Sequence, residues 1–178
     1  MAGARIIESS RGRGRQLRAG IEAATGDVIL LLHADTTLPP EFREEVLNLL
    51  VNEGAVWGRF DIRFDSGGRL LRAIARLICL RSRMTRVATG DQAIFVLSSA
   101  LRACGGVRDD VLFEDIDLCL RLRRVGRMGV PRGYATTSAR RWREKGIWRT
   151  TFRMWVLKLL YLSGMSVDRL VRHYSDVR

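Results

Sequence analysis

Apolar and polar positions divide this 178-residue chain into short segments of two alternating periods. "ARIIES", from Ala4 to Ser9, reads as a short strand and is followed by the basic glycine loop "RGRGR". In "QLRAGIEAATG" the apolar residues Leu17, Ile21 and Ala24 recur at helical spacing, and Gly26 supplies a C-terminal stop. The run "DVILLL" does not alternate at all, which predicts a buried strand of the kind found in parallel sheets. Strand, helix, strand then puts the next loop, carrying His33, Ala34 and Asp35, in the crevice where open α/β sheets bind ligands.

Further on, "PEFREEVLNLLVNEG" predicts a helix with proline in its first turn, Glu41, Glu44 and Glu45 near its positive end, and Gly54 as its stop. "AVWGRFDIRF" alternates as an exposed or edge strand would, and "DSGG" is a turn. "RLLRAIARLICLRSRM" predicts a helix with one broad apolar face and one strongly basic face. "GDQAIFVLS" reads as a strand and "SALRACGG" as a short helix. "EDIDLCLRLRRVG" is a helix opened by acids and closed by arginines, as the helix dipole favours.

Composition narrows the class. With 47% hydrophobic and 28% charged residues, the chain is globular and of single-domain size. The net charge is +12, and only Lys145 and Lys158 among the 31 basic residues are lysines, so arginine dominates a surface that will attract phosphate and anionic lipid. A nucleic-acid binder is disfavoured, because no aromatics interleave with "RGRGR" and the acids gather at strand ends. Cys79, Cys104 and Cys119 are an odd number with no C-x-x-C spacing, which suggests neither a disulfide framework nor a zinc knuckle and suits a reducing, cytoplasmic setting. The first residues carry no apolar leader run, in keeping with that location. Residues Ile147 to Met165 are apolar but broken by Arg149, Arg153 and Lys158, too much charge for a spanning helix. That stretch and Arg69 to Met84 suit either peripheral contact with an anionic bilayer, at the inner face of the plasma membrane, or core packing with solvated arginines.

Candidate chemistry sits at the strand and helix ends. Asp35 has the position to hold a divalent cation and through it a diphosphate, and equally the position to cap a helix or close a turn. His33 by itself reads as a buried histidine. Glu114, Asp115 and Asp117 cannot all face one way on a helix. They suit either a favourably charged N-terminus or general acid/base work.

Four stretches occur in one order: "SSRGRGRQLRAGIEAATGDVILLLHADTTLPP", "RSRMTRVATGDQAIFV", "CGGVRDDVLFEDIDLCLRLRRVGR" and "TSARRWREKGIWRTT". Together they resemble the family 2 glycosyltransferases with the GT-A fold, and within them the bacterial subgroup associated with radical-SAM and selenodomain genes, part of which is named for arsenosugar biosynthesis. The resemblance implies an α/β fold with a mostly parallel, Rossmann-like sheet and helices on both faces. It implies an inverting transfer of a hexosyl-type sugar from a UDP- or GDP-type donor to an acceptor hydroxyl, the acceptor being lipid-linked if the membrane reading holds. "HAD" stands where the family has D-x-D, so Asp35 matches the acid that binds Mg²⁺ or Mn²⁺, and His33 replaces the other acid. Gly90, Asp91 and Gln92 match the segment beside donor sugar and acceptor. Asp115 takes the position of the catalytic base with Glu114 beside it. Arg140, Arg141 and Trp142 match the "RRW" segment over the site, and Gly12 and Arg13 match a pair near the nucleotide, while Arg18 stands where asparagine is usual.

The family's opening strands, of the type "SVIIPVLNE", have no counterpart here. The expectation is therefore an N-terminally truncated GT-A core over residues 1–135 that lacks its first βαβ unit, exposes a sheet edge and binds donor weakly. Residues 136–178 would add the RRW segment and amphipathic helices to the same domain. The rival reading is a non-catalytic remnant serving as a membrane- or partner-binding domain.

Overall fold

The computed structural model describes residues 3–111, 113–145 and 156. Its elements in chain order are α1 (Arg13–Ala23), β1 (Val28–Leu31), β2 (Thr36–Thr37), α2 (Phe42–Leu47), β3 (Trp57–Gly58), β4 (Asp61–Phe64), α3 (Arg69–Thr85), β5 (Ile94–Leu97), α4 (Ser98–Ala103), α5 (Glu114–Val125), β6 (Met128–Gly129), β7 (Tyr134–Thr137) and α6 (Arg140–Lys145). The strands form a four-stranded sheet in the order β1-β5-β3-β6 and a three-stranded sheet in the order β2-β7-β4.

The sheets are mixed, not mostly parallel. β1 and β3 both run antiparallel to β5, and β2 runs antiparallel to β7, while β3–β6 and β4–β7 are parallel. What the unbroken run in β1 records is burial on both faces. Ile29 and Leu31 enter a cluster with Leu118, Cys119 and Leu122 of α5 and with Leu101 of α4, while Val28 and Leu30 pack on Phe60, Phe95 and Cys79 on the other side. Helices thus cover both faces, α4 and α5 on one and α2 and α3 on the other. Two-sided burial makes a run continuous whichever way its partner points.

Four further expectations change. Residues 4–9 form no strand; they are exposed and irregular, and no strand among the described residues pairs with them. The predicted helix after Pro40 begins at Phe42 and passes into a π-helical turn at Asn48–Asn52 before Gly54 (φ 67°) ends it. "GDQAIFVLS" divides into a 3-10 turn, Gly90–Gln92, and β5. The edge strand predicted over "AVWGRFDIRF" is two strands in different sheets. β3 lies inside the larger sheet, where a Cβ on Gly58 would overlap Phe95 and the Gly129 carbonyl, and β4 lies at an edge of the smaller one.

The break between β3 and β4 carries a fully buried arginine. Arg59 donates from Nη1 to the Phe60 carbonyl (3.2 Å) and from Nη2 to the Cys79 carbonyl (3.2 Å), and it pairs with Asp61. Arg83 of α3 grips the other oxygen of Asp61 through Nε (3.1 Å) and Nη2 (2.5 Å). Burial alone would raise the Asp61 pKa, but the hydrogen bonds from Arg83 and Arg59 outweigh it and hold it below its usual 3.8. The nearby thiols stay protonated at neutral pH, since burial pushes Cys79 up to about 11 and Cys119 up to about 12.

Removing Asp61 leaves Arg59 as a buried cation without a counter-ion. Asp61→Asn is expected to lower unfolding stability by about 3–5 kcal/mol in urea titrations, and Arg83→Ala, at an exposed side chain, by about 1 kcal/mol or less. Because the folded pKa of Asp61 is depressed, the pair's contribution is present above the unfolded carboxyl pKa. It is lost as pH falls through the folded value, and Asp61→Asn should flatten that acid limb.

Candidate active site

The loop after β1 carries His33 and Asp35, and the elements around it bring three other segments to the neighbourhood of His33. α1 delivers Arg13, the 3-10 turn delivers Gly90, and the first turn of α5 delivers Glu114 and Asp115. With Leu17, Leu31, Ile94, Val107 and Leu118 as its apolar walls, these residues line a recess of about 10 Å³, room for about one water.

Charge organises this recess. Glu114 is only 4% exposed and Asp115 only 9%, so both carboxylates need compensation within the protein. Arg13 Nε lies 2.7 Å from Glu114 Oε1, and its Nη2 lies 4.0 Å from Asp115 Oδ2. The backbone N–H of Gly90 donates to Asp115 Oδ2 (2.7 Å), and that of Ile116 to Oδ1 (2.8 Å). Asp117, two residues beyond Asp115, turns away to accept from Arg121 (2.7 and 3.0 Å). Arg121 in turn donates to the Gly106 carbonyl at 2.7 Å, so the third acid ties α5 to the end of α4.

Arg13 also reaches His33 Nε2. A guanidinium has only donors, so this nitrogen accepts and the ring is neutral with its proton on Nδ1. Burial, and then Arg13, lower the His33 pKa against the opposing fields of Asp91, Asp35 and Asp115. A Cβ on residue 90 would overlap both Arg13 Nη2 and His33 Nε2, so any side chain there must displace them.

The turn that offers the Gly90 amide is braced from behind. Gln92 is fully buried, accepts from the Thr89 N–H (3.1 Å), and donates to Ser82 Oγ (2.9 Å) and the Phe60 carbonyl (3.5 Å). It is followed by Ala93 in the left-handed region (φ 47°), a strained setting that these bonds hold in place. Gln92 therefore serves the protein's interior in this structure. Asp91 differs, for its Oδ1 is buried with no hydrogen-bond partner among the described residues.

The other sequence candidates are more dispersed. Asp35 is exposed in the turn before β2, and Gly12 (φ 141°) precedes α1. Arg140 is exposed, the Arg141 side chain lies outside the described residues, and Trp142 packs edge-on against Phe64 (5.6 Å between ring centres) beside Leu71 and Ile74. The structure does not bring Trp142 to the recess. The segment 147–165 lies outside the described residues, and no helix among those described is long and apolar enough to cross a membrane. The Arg59–Asp61–Arg83 triad and Ser82 went unassigned from sequence; a charged residue at the centre of an apolar alternation, Arg59 in "VWGRFDI", was the available signal.

A cation site can be tested on these residues. Among them no group of three or more His, Cys, Asp or Glu side chains converges to hold a metal ion. Asp35 is exposed, so its carboxylate is open to a cation arriving from solvent.

Residues 2–111 match the family model described as glycosyl transferase family 2, and the chain belongs to that family. The family carries the GT-A fold, transfers sugars from nucleotide-sugar donors to acceptors, and commonly uses divalent metals. No curated protein matches the chain. The match stops three residues before Glu114, so the two buried acids are linked to the site by geometry.

Two outcomes are expected. The His33 ring should titrate below 6.5 by NMR, and in Arg13→Met the midpoint should rise yet stay below 6.5, because burial is the larger cause. Gly90→Ala should displace Arg13 and His33, visible as shifted imidazole resonances.

Proposed function

We propose that this chain is an inverting glycosyltransferase that uses a UDP- or GDP-type sugar, with Asp115 as its base, and that it belongs to the subgroup associated with radical-SAM and selenodomain genes. The observation that carries the reading is the convergence of Arg13, His33, Gly90, Glu114 and Asp115 on one recess at the end of β1. In such a transfer the acceptor oxygen forms a bond to the anomeric carbon. The bond from that carbon to the diphosphate oxygen breaks, with its electron pair leaving on the diphosphate, and the acceptor's proton passes to Asp115. Two backbone amides fix the Asp115 carboxylate, so its oxygens are oriented before substrate arrives. Arg13, whose fork already faces two acids, suits pairing with the departing diphosphate. Asp91 offers its unpaired Oδ1 to a sugar hydroxyl, and neutral His33 suits hydrogen bonding to a ribose. Asp35 would hold a divalent cation, which when bound supplies charge stabilisation to the diphosphate. Arg140 and Arg141 are assigned to the donor from the resemblance of the "RRW" segment alone, and Trp142 packs on Phe64.

A second reading, a non-catalytic binding domain, rests on the burial of both acids beneath Arg13.

Calorimetric titration with UDP- and GDP-sugars, with and without Mn²⁺, tests the proposal. Metal-dependent binding is expected and should disappear in Asp35→Ala. Asp115→Asn should keep donor binding while transfer or donor hydrolysis falls by about 10²–10⁴-fold. Donor binding with no turnover by the unsubstituted chain would select the second reading, and no binding of either donor would overturn both the donor assignment and Asp35's role.

A further inference from the structure

The outward side of α3 has a composition that the sugar-transfer site does not explain. Its inner side is fixed in the core by Leu71, Ile74, Ala75 and Cys79, and by Ser82, which holds Gln92 behind the Gly90 turn. Outside, Leu77 is 62% exposed, Leu80 55% and Met84 77%, and Leu70 is exposed as well. At 100° per residue these four fall within an arc of about 80°, one stripe along the whole helix. Exposed Arg69, Arg72 and Arg76 border the stripe on its far side, and Arg83 continues that row while holding Asp61. Helix α3 has no acidic residue.

A row of large aliphatic side chains edged by arginines is wrong for a solvated surface and wrong for an acidic protein groove alone, which would match the charge and leave the leucines wet. It fits the headgroup boundary of a bilayer, where leucine and methionine enter the acyl region and arginine stems reach back to lipid phosphate. The chain's formal charge of +12 acts in the same direction, toward anionic lipid. We propose that the outer face of α3 is a peripheral docking surface for an anionic lipid bilayer. The helix that braces the Gly90 turn from behind would then also fix the protein to the surface. The docking itself does not depend on the sugar-transfer reading.

Vesicle co-sedimentation of the full chain tests this, using phosphatidylcholine with and without phosphatidylglycerol. Binding is expected only with phosphatidylglycerol and should weaken as salt rises. The triple variant Leu77→Gln, Leu80→Gln, Met84→Gln and the double variant Arg72→Gln, Arg76→Gln should each weaken it by about tenfold or more. All these side chains are exposed, so melting temperatures should be unchanged. The control Arg123→Gln, Arg124→Gln, on the exposed end of α5, should bind nearly as the parent does. Three results would overturn the proposal: no binding to anionic vesicles, equal loss in control and α3 variants, or vesicle-free self-association that the triple variant abolishes. The last would make the face a contact between copies. Donor titration of the triple variant separates the readings, since loss of docking with donor binding intact touches only the surface.

Discussion

Two adjacent carboxylates sunk in a protein interior are the constraint around which this domain is arranged. Glu114 and Asp115 begin α5 almost out of reach of water, and each needs a partner of opposite polarity in a fixed place. Arg13 comes from a helix about a hundred residues earlier in sequence, and the Gly90 amide from a turn that passes close against the Arg13 and His33 side chains. Satisfying one pair of charges therefore brings α1, the Gly90 turn and α5 to the end of β1. The tight space and the lowered His33 pKa follow from the same crowding.

Behind this lies a second polar layer with a different task. Arg59, Asp61, Ser82 and Gln92 join β3, β4, α3 and the Gly90 turn through bonds to one another and to the Phe60 and Cys79 carbonyls. Apolar side chains in these positions would fill space but would leave the turn free to choose among orientations. Directional bonds fix where the Gly90 N–H points, and hence where Asp115 is held.

The helices were largely legible because caps, glycine stops and 3.6-residue periodicity are local signals. α1, α3, α4 and α5 fall within a few residues of where "QLRAGIEAATG", "RLLRAIARLICLRSRM", "SALRACGG" and "EDIDLCLRLRRVG" place them. Strand direction was not legible, since β1 is continuous in apolar residues through burial on both faces and carries no mark of how β5 runs. Ala4–Ser9 shows the converse limit, for its strand pattern pairs with no strand among the described residues and stays irregular. In the site, residue types in order pointed to His33, Gly90, Glu114 and Asp115, and the structure gathers them. Spacing alone had no means of showing that Gln92 faces inward or that Trp142 chooses Phe64.

α1 buries no residue fully, starts at Gly12 without a side-chain cap, and touches the core through the half-buried Leu17 and Ile21. The strands beneath it belong to the interior of both clusters. α1 is therefore held by fewer buried side chains than the strands, and the Arg13–Glu114 pair is a polar tie between it and the rest of the domain. Amide protons of α1 are expected to exchange before those of β5, because fewer buried contacts must break to release them.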